Sequence, residues 1–194
     1  MKSFEYEIRF LQAGLDSLES YLLSDDLFWP VDIHPPAGEP AYPKLTLGSL
    51  LLSRARLASF PKSQAQADQS TQLFSKMDSI RVRWKVAWEK KAAHSFSVRL
   101  RMWRDYIEEY RNAPQENTDR YGYEVRLRAM LTLLKGEGSG AIQAEVDLLN
   151  ALDRFLRSVL VSSDFIWGLE LRSGFPEQEY WYLYGKLPPA PPKS

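Results

Sequence analysis

Apolar residues recur along the first part of this chain at helical rather than strand spacing. Ile8, Leu11, Leu15, Leu18 and Leu22 lie three or four positions apart, which puts them on one stripe of an α-helix over residues 4–23. Ser24-Asp25-Asp26 ends it. Two short extended runs follow, 27–33 and 42–47, separated by Pro35, Pro36, Gly38 and Pro40. They are expected to pair as a hairpin with a long rigid loop, with Pro30 and Pro43 at edges because neither can donate to a ladder. Thr46 or Ser49 caps a second helix over 47–59, and Pro61 stops it. Residues 63–71 are polar, rich in Gln and Ala, and read as a loop or a solvated helical extension.

Residues 72–110 carry the longest helical pattern. Leu73, Met77, Ile80, Trp84, Trp88, Met102, Tyr106 and Tyr110 fall on one side of a helical wheel. Unbroken, about 40 residues would span about 60 Å, whereas a globule of this length is on the order of 42 Å across. The helix must project or bend. His94-Ser95-Phe96-Ser97 has the weakest helix formers, so the break is expected there. Without a break, the aromatic stripe would need a partner, and a homodimer would follow. Residues 112–119 form a loop containing Pro114, residues 120–135 a helix, and the glycines at 136, 138 and 140 a connector. Another helix is expected over 141–161. Residues 165–172 and 179–187 then read as two strands about the turn Ser173-Gly174-Phe175-Pro176.

The two ends of the chain are alike. Leu22-Leu23-Ser24-Asp25-Asp26-Leu27-Phe28-Trp29 resembles Leu160-Val161-Ser162-Ser163-Asp164-Phe165-Ile166-Trp167, and Leu45-Thr46-Leu47-Gly48-Ser49-Leu50 resembles Tyr182-Leu183-Tyr184-Gly185-Lys186-Leu187. Leu15-Asp16 likewise matches Leu152-Asp153, and the offset stays at 137 or 138 residues. The fold class expected is therefore mainly α: a helical bundle with two short β-hairpin-like elements and an internal pseudo-twofold repeat. Residues 1–60 form the first helix–hairpin–helix unit, 61–136 a long helical insertion with a basic face, and 137–187 the second helix–hairpin unit. Residues 188–194 form a disordered Pro-rich tail, and the whole is one compact domain.

Composition narrows the function classes. There is no Cys among the 194 residues, which excludes disulfides, thiolate zinc sites and a Cys nucleophile. No signal peptide and no apolar run near the roughly 20 residues of a membrane span are visible, so a cytoplasmic protein without membrane contact is expected. Aromatic residues reach 13%, and that area must go into a core, an interface or a ligand groove. Net charge is zero but unevenly spread. Residues 1–34 hold seven acids against Lys2 and Arg9, a net of −5; residues 81–104 hold eight bases against Glu89, a net of +7. These regions should attract each other, within the monomer or between copies, or present a surface to a partner.

The candidate chemistry is sparse. Asp26 with Trp29, and Asp164 with Trp167, place an acid and an indole three residues apart at matching points. Such pairs could line a groove for a cation, peptide or sugar; the plainer reading is turn chemistry with the Trp as a plug. Arg83, Lys90, His94, Arg101 and Arg104 form one basic row opposite the Trp84–Trp88 stripe, suited to a phosphate backbone or an acidic protein, or simply a solvated helix face. The Gly-rich connector could hold an anion at a helix N-terminus, but its Lys precedes the glycines, so a linker is the plainer reading. His34 and His94 have no second His at ligand spacing. No catalytic residue, metal or cofactor is expected. The leading expectation is a non-enzymatic helical interaction or scaffold protein that self-associates or binds a protein partner. The alternatives are a nucleic-acid-associated protein using the basic face, and an enzyme with a pocket between the two repeats.

Overall fold

The computed structural model describes residues 3–138 and 143–188. The first helix, α1 (Phe4–Leu23), starts where Ser3 accepts a hydrogen bond from the Tyr6 N–H at 3.1 Å. Its stripe of Ile8, Leu11, Leu15, Leu18 and Leu22 is buried, as the spacing requires. The second helix, α2 (Leu47–Ser59), is capped by Thr46 and Ser49 together. Ser49 N–H donates to the Thr46 hydroxyl at 3.0 Å and Thr46 N–H to the Ser49 hydroxyl at 2.9 Å, so two donors at the helix start are satisfied reciprocally. Between these helices the expected hairpin reduces to one antiparallel bridge, Trp29 with Leu45. Pro30 and Pro43 flank it and lack the N–H groups that would extend it. The proline loop folds back on α1 instead, through Arg9 with Glu39 and Tyr42. Gly38, at φ 88°, makes the one turn in it that other residues rarely adopt.

The polar stretch after Pro61 is helical. α3 (Gln64–Arg83) begins with a reciprocal cap between Ser63 and Gln66. Only Ser70, Leu73, Met77 and Ile80 are buried in it, so it lies on the outside of α1. Lys76 pairs with Asp16 at 2.7 Å and Arg83 with Glu19 at 3.0 Å. The acidic first segment and the basic middle thus meet within one chain.

The central element is α4 (Lys85–Asn112), about 42 Å long at about 1.5 Å per residue. Trp88, Ala92, Phe96, Leu100, Trp103 and Ile107 form its buried stripe. The long helical pattern does break, but at Trp84 (φ −108°, ψ 34°) rather than at residues 94–97. Ser95 and Phe96 are buried in the core, and packing there outweighs weak intrinsic propensity. The stripe residues Trp88, Tyr106 and Tyr110 are covered by the chain itself, while Met102 turns outward.

A short turn, α5 (Pro114–Asn117) with residues 118–120, sends the chain back as α6 (Tyr121–Lys135), which packs along α4. Then α7 (Gln143–Val159) buries Leu149, Leu152 and Leu156. It is tied to α6 by the two-pronged Arg128–Asp153 pair, both bonds 2.8 Å. The expected helix start at residue 141 and the tail beyond Pro188 lie outside the described residues.

Of the strands expected over 165–172 and 179–187, the first is absent and the second shrinks to residues 185–186. The rest of the segment forms short 3-10 helices at 169–174 and 181–183 about α8 (Glu177–Tyr180). Its aromatic residues cluster edge-to-face: Trp167 with Phe175 at 5.3 Å and Phe175 with Tyr180 at 5.0 Å. Strand pairing is confined to β1 (Val161–Ser162) and β2 (Gly185–Lys186), antiparallel. Both chain ends therefore show a helix followed by antiparallel pairing, but Leu45 leads into α2 whereas β2 closes the described chain. Among the described residues the two pairings share no sheet.

Candidate functional site

The end of α1 needs help from elsewhere. Its last turn holds no basic residue, although a helix C-terminus carries partial negative charge and unbonded carbonyls. Lys91 of α4 supplies the cation. Its ammonium donates to the Ser24 carbonyl at 2.7 Å and the Asp26 carbonyl at 2.8 Å, and lies 4.6 Å from the centre of the Tyr21 ring. Burial pushes the Lys91 amine below its ordinary range, while the negative charges of Asp25 and Asp26 work against that. Lys91 thereby fixes the end of α1 against the start of α4.

The break at Trp84 does the rest. It turns α4 away from α3 just where α1 ends, and a cleft of about 630 Å³ opens between the three. Leu22, Leu23, Trp84, Val86 and Ala87 give it an apolar wall; Arg83, Lys85, Lys90 and Lys91 give it a cationic rim, with His94 beside them and Asp25 the one acid. Leu23 is 60% exposed and Val86 80% exposed. Solvated aliphatic residues gathered around a concave site mark a contact surface better than scattered ones do. The Trp84 indole N–H is buried without a hydrogen-bond partner, a cost that the local packing carries.

The residues singled out in the sequence divide here. Arg83, Lys90 and His94 are brought together on the cleft rim. Arg101 and Arg104 lie about 10 and 15 Å farther along α4 from His94. Arg83 is paired with Glu19, and Arg104 with Asp105 at 2.7 Å and Glu108 at 3.7 Å. Among the described residues, Lys90, His94 and Arg101 have no ion-pair partner. Asp26 and Asp164 are exposed, and neither borders the cleft. Their tryptophans are plugs. Trp29 bridges to Leu45 and packs on the core. Trp167 donates to the Gly122 carbonyl at 3.2 Å beneath the Arg56 guanidinium, 4.8 Å from its ring. Of the Gly-rich connector, Glu137 binds Arg81 and the Trp88 indole, both at 2.9 Å; residues 139 and 140 lie outside the described residues. His34 borders a separate groove of about 670 Å³ beside α1. Among the described residues no group of acids and histidines is arranged to hold a metal, and no helix is long and apolar enough to cross a membrane.

Sequence reasoning missed Trp84 as the hinge, and it missed Lys91. A signal for Lys91 was present: it falls three residues after Trp88 and seven after Trp84, in phase with the apolar stripe, where a cation must find a partner. Comparison with family models, curated proteins and solved structures finds no match to this chain.

Proposed function

We propose that the protein is a non-enzymatic interaction module, and that its elbow cleft docks a segment of another protein carrying carboxylates beside aliphatic side chains. One observation carries the reading: exposed apolar surface and a cation that the described residues leave unpaired coincide in one concave place, Leu23 and Val86 beside Lys90, with the His94 imidazole next to it. Burying the aliphatic groups supplies affinity, and the cationic rim supplies steering and partner choice. A symmetric dimer through this face would set Lys90 and Arg83 of one copy against those of the other, so the charge pattern favours a different molecule over a second copy. The aromatic stripe, buried within the chain, no longer calls for a dimer.

The nucleic-acid reading is weaker because Arg83 and Arg104 already have carboxylate partners, which shortens the row available to phosphates. The outward aspartates, away from the cleft, support a binding role over acid–base chemistry. We retain an internal duplication as the origin of the two ends, supported by the three matching sequence blocks and the antiparallel pairing after a helix at each.

The test is fluorescence anisotropy with a labelled peptide of mixed Glu and Leu. A Lys/Leu peptide, a Glu/Ser peptide and a single-stranded oligonucleotide serve as the other arms. The Glu/Leu peptide alone is expected to bind, at about micromolar strength, and Lys90→Glu to weaken it about tenfold. Failure of the Glu/Leu peptide to bind, or equal binding to Lys90→Glu, contradicts the proposal. Oligonucleotide binding without peptide binding passes the cleft to the alternative.

A further inference from the structure

A smaller pocket, of about 210 Å³, opens where the loop before α2 meets α4 and α6. Lys44, Arg99 and Arg126 line it with Phe28, Met102 and Met130, and no acidic residue does. Arg99 is only 6% exposed. Its guanidinium donates to the Thr46 hydroxyl at 3.0 Å and to the Met102 sulfur, a weak acceptor, at 3.4 Å. Its Nε is buried with no partner at all, and the Phe28 ring covers it at 5.1 Å. No carboxylate pairs with it. Burial first, and the charge of Arg126 second, push Arg99 down to about 10, so it remains charged at neutral pH. Arg126 is also pushed down, chiefly by burial. Among the described residues its one carboxylate partner, Glu124 at 3.4 Å, is shared with Arg120 at 3.2 Å. The N-terminal end of α2, which adds positive potential, has no acid in its first turn.

Buried guanidinium groups are ordinarily neutralised by a carboxylate or an anion. Here a buried guanidinium, Arg99, and a half-buried one, Arg126, line one pocket with Lys44; among the described residues Arg99 has no carboxylate partner, and Arg126 has only the Glu124 it shares with Arg120. We propose that the pocket binds a phosphate dianion, free or as the phosphoryl group of a small phosphomonoester. A dianion matches the pair of guanidinium charges, and a tetrahedral oxyanion offers acceptors to donors arriving from the loop, α4 and α6 at once. This site is separate from the elbow cleft and does not rest on the function proposed for it.

The test is calorimetric titration with inorganic phosphate and with a panel of small phosphomonoesters, at ionic strength held constant with chloride, alongside thermal unfolding. Saturable binding and a raised Tm are expected from phosphate or an ester and not from chloride; whichever binds more tightly identifies the source. Arg126→Gln, at a half-buried position, is expected to weaken binding about tenfold or more while its circular dichroism spectrum stays that of the parent. Lys90→Glu is expected to leave it unchanged. Arg99→Met is expected to raise the Tm without phosphate and to lose the phosphate-dependent gain. No saturable signal from phosphate or any ester, or equal binding by Arg126→Gln, overturns the assignment.

Discussion

Tyrosine hydroxyls hold the irregular parts of this molecule onto its helices. Tyr6 donates to the Ala41 carbonyl, Tyr21 to Leu27, Tyr106 to Asn117, Tyr110 to Pro188, and Tyr121 to Tyr182. Each ring fills the core while its hydroxyl satisfies a loop carbonyl, which is where much of the high aromatic content goes. Burial is the main cause that raises the pKa of Tyr6, Tyr21, Tyr106, Tyr121 and Tyr182 above the ordinary 10.0. For an acid whose folded pKa is raised, the unfolded state releases its proton first. The stabilisation is therefore complete below pH 10 and lost as the pH climbs beyond it. In an alkaline titration, tyrosinate absorbance from these rings is expected to appear together with loss of the helical circular dichroism signal. Tyrosinate forming fully near pH 10 with the helices intact would contradict this account.

At the scale of elements, the helices differ in how firmly they are held. α4 buries one face from Trp88 to Tyr110, whereas α7 buries Leu149, Leu152 and Leu156 and relies on Arg128–Asp153. Arg128 lies 4.7 Å from the Tyr182 ring, and Tyr182 in turn meets Thr132 at 2.7 Å. Asp153→Ala would leave a buried guanidinium unpaired, and a loss of about 3 kcal/mol is expected. Chemical denaturation measures it, and hydrogen exchange should show α7 opening before α4. A loss below about 0.5 kcal/mol, the size of an exposed pair, would show the bridge to be superficial. Legibility also varied by element. α1 and α2 could be read because stripe, cap and stop coincide in the sequence. The α3–α4 break could not, because Trp84 sits in phase with both helices and only tertiary packing decides where the ladder is interrupted. The terminal strands were misplaced because Trp181, Tyr182 and Tyr184 favour strands in general, yet here Tyr184 packs on Phe165, Trp181 on Tyr182, and Tyr182 on Tyr180, which in turn meets Phe175, across short helical turns.

For the whole molecule, the charge asymmetry written along the chain is met inside it in part, where Lys76 and Arg83 of α3 pair with Asp16 and Glu19 of α1. What remains is local: cations around the elbow and guanidinium groups around Arg99. The basic row was legible as a row, and its Arg83–Lys90–His94 part does border the cleft. The apolar wall was not, because Leu23 belongs to one helix pattern and Val86 to another, and nothing local in the sequence says they meet. Backbone amide NMR with the Glu/Leu peptide tests the elbow most directly. The account expects shifts concentrated at Leu23, Val86, Lys90 and His94, with Arg101 and Arg104 unmoved. Shifts centred on Arg101 and Arg104, or none anywhere in saturating peptide, would contradict it.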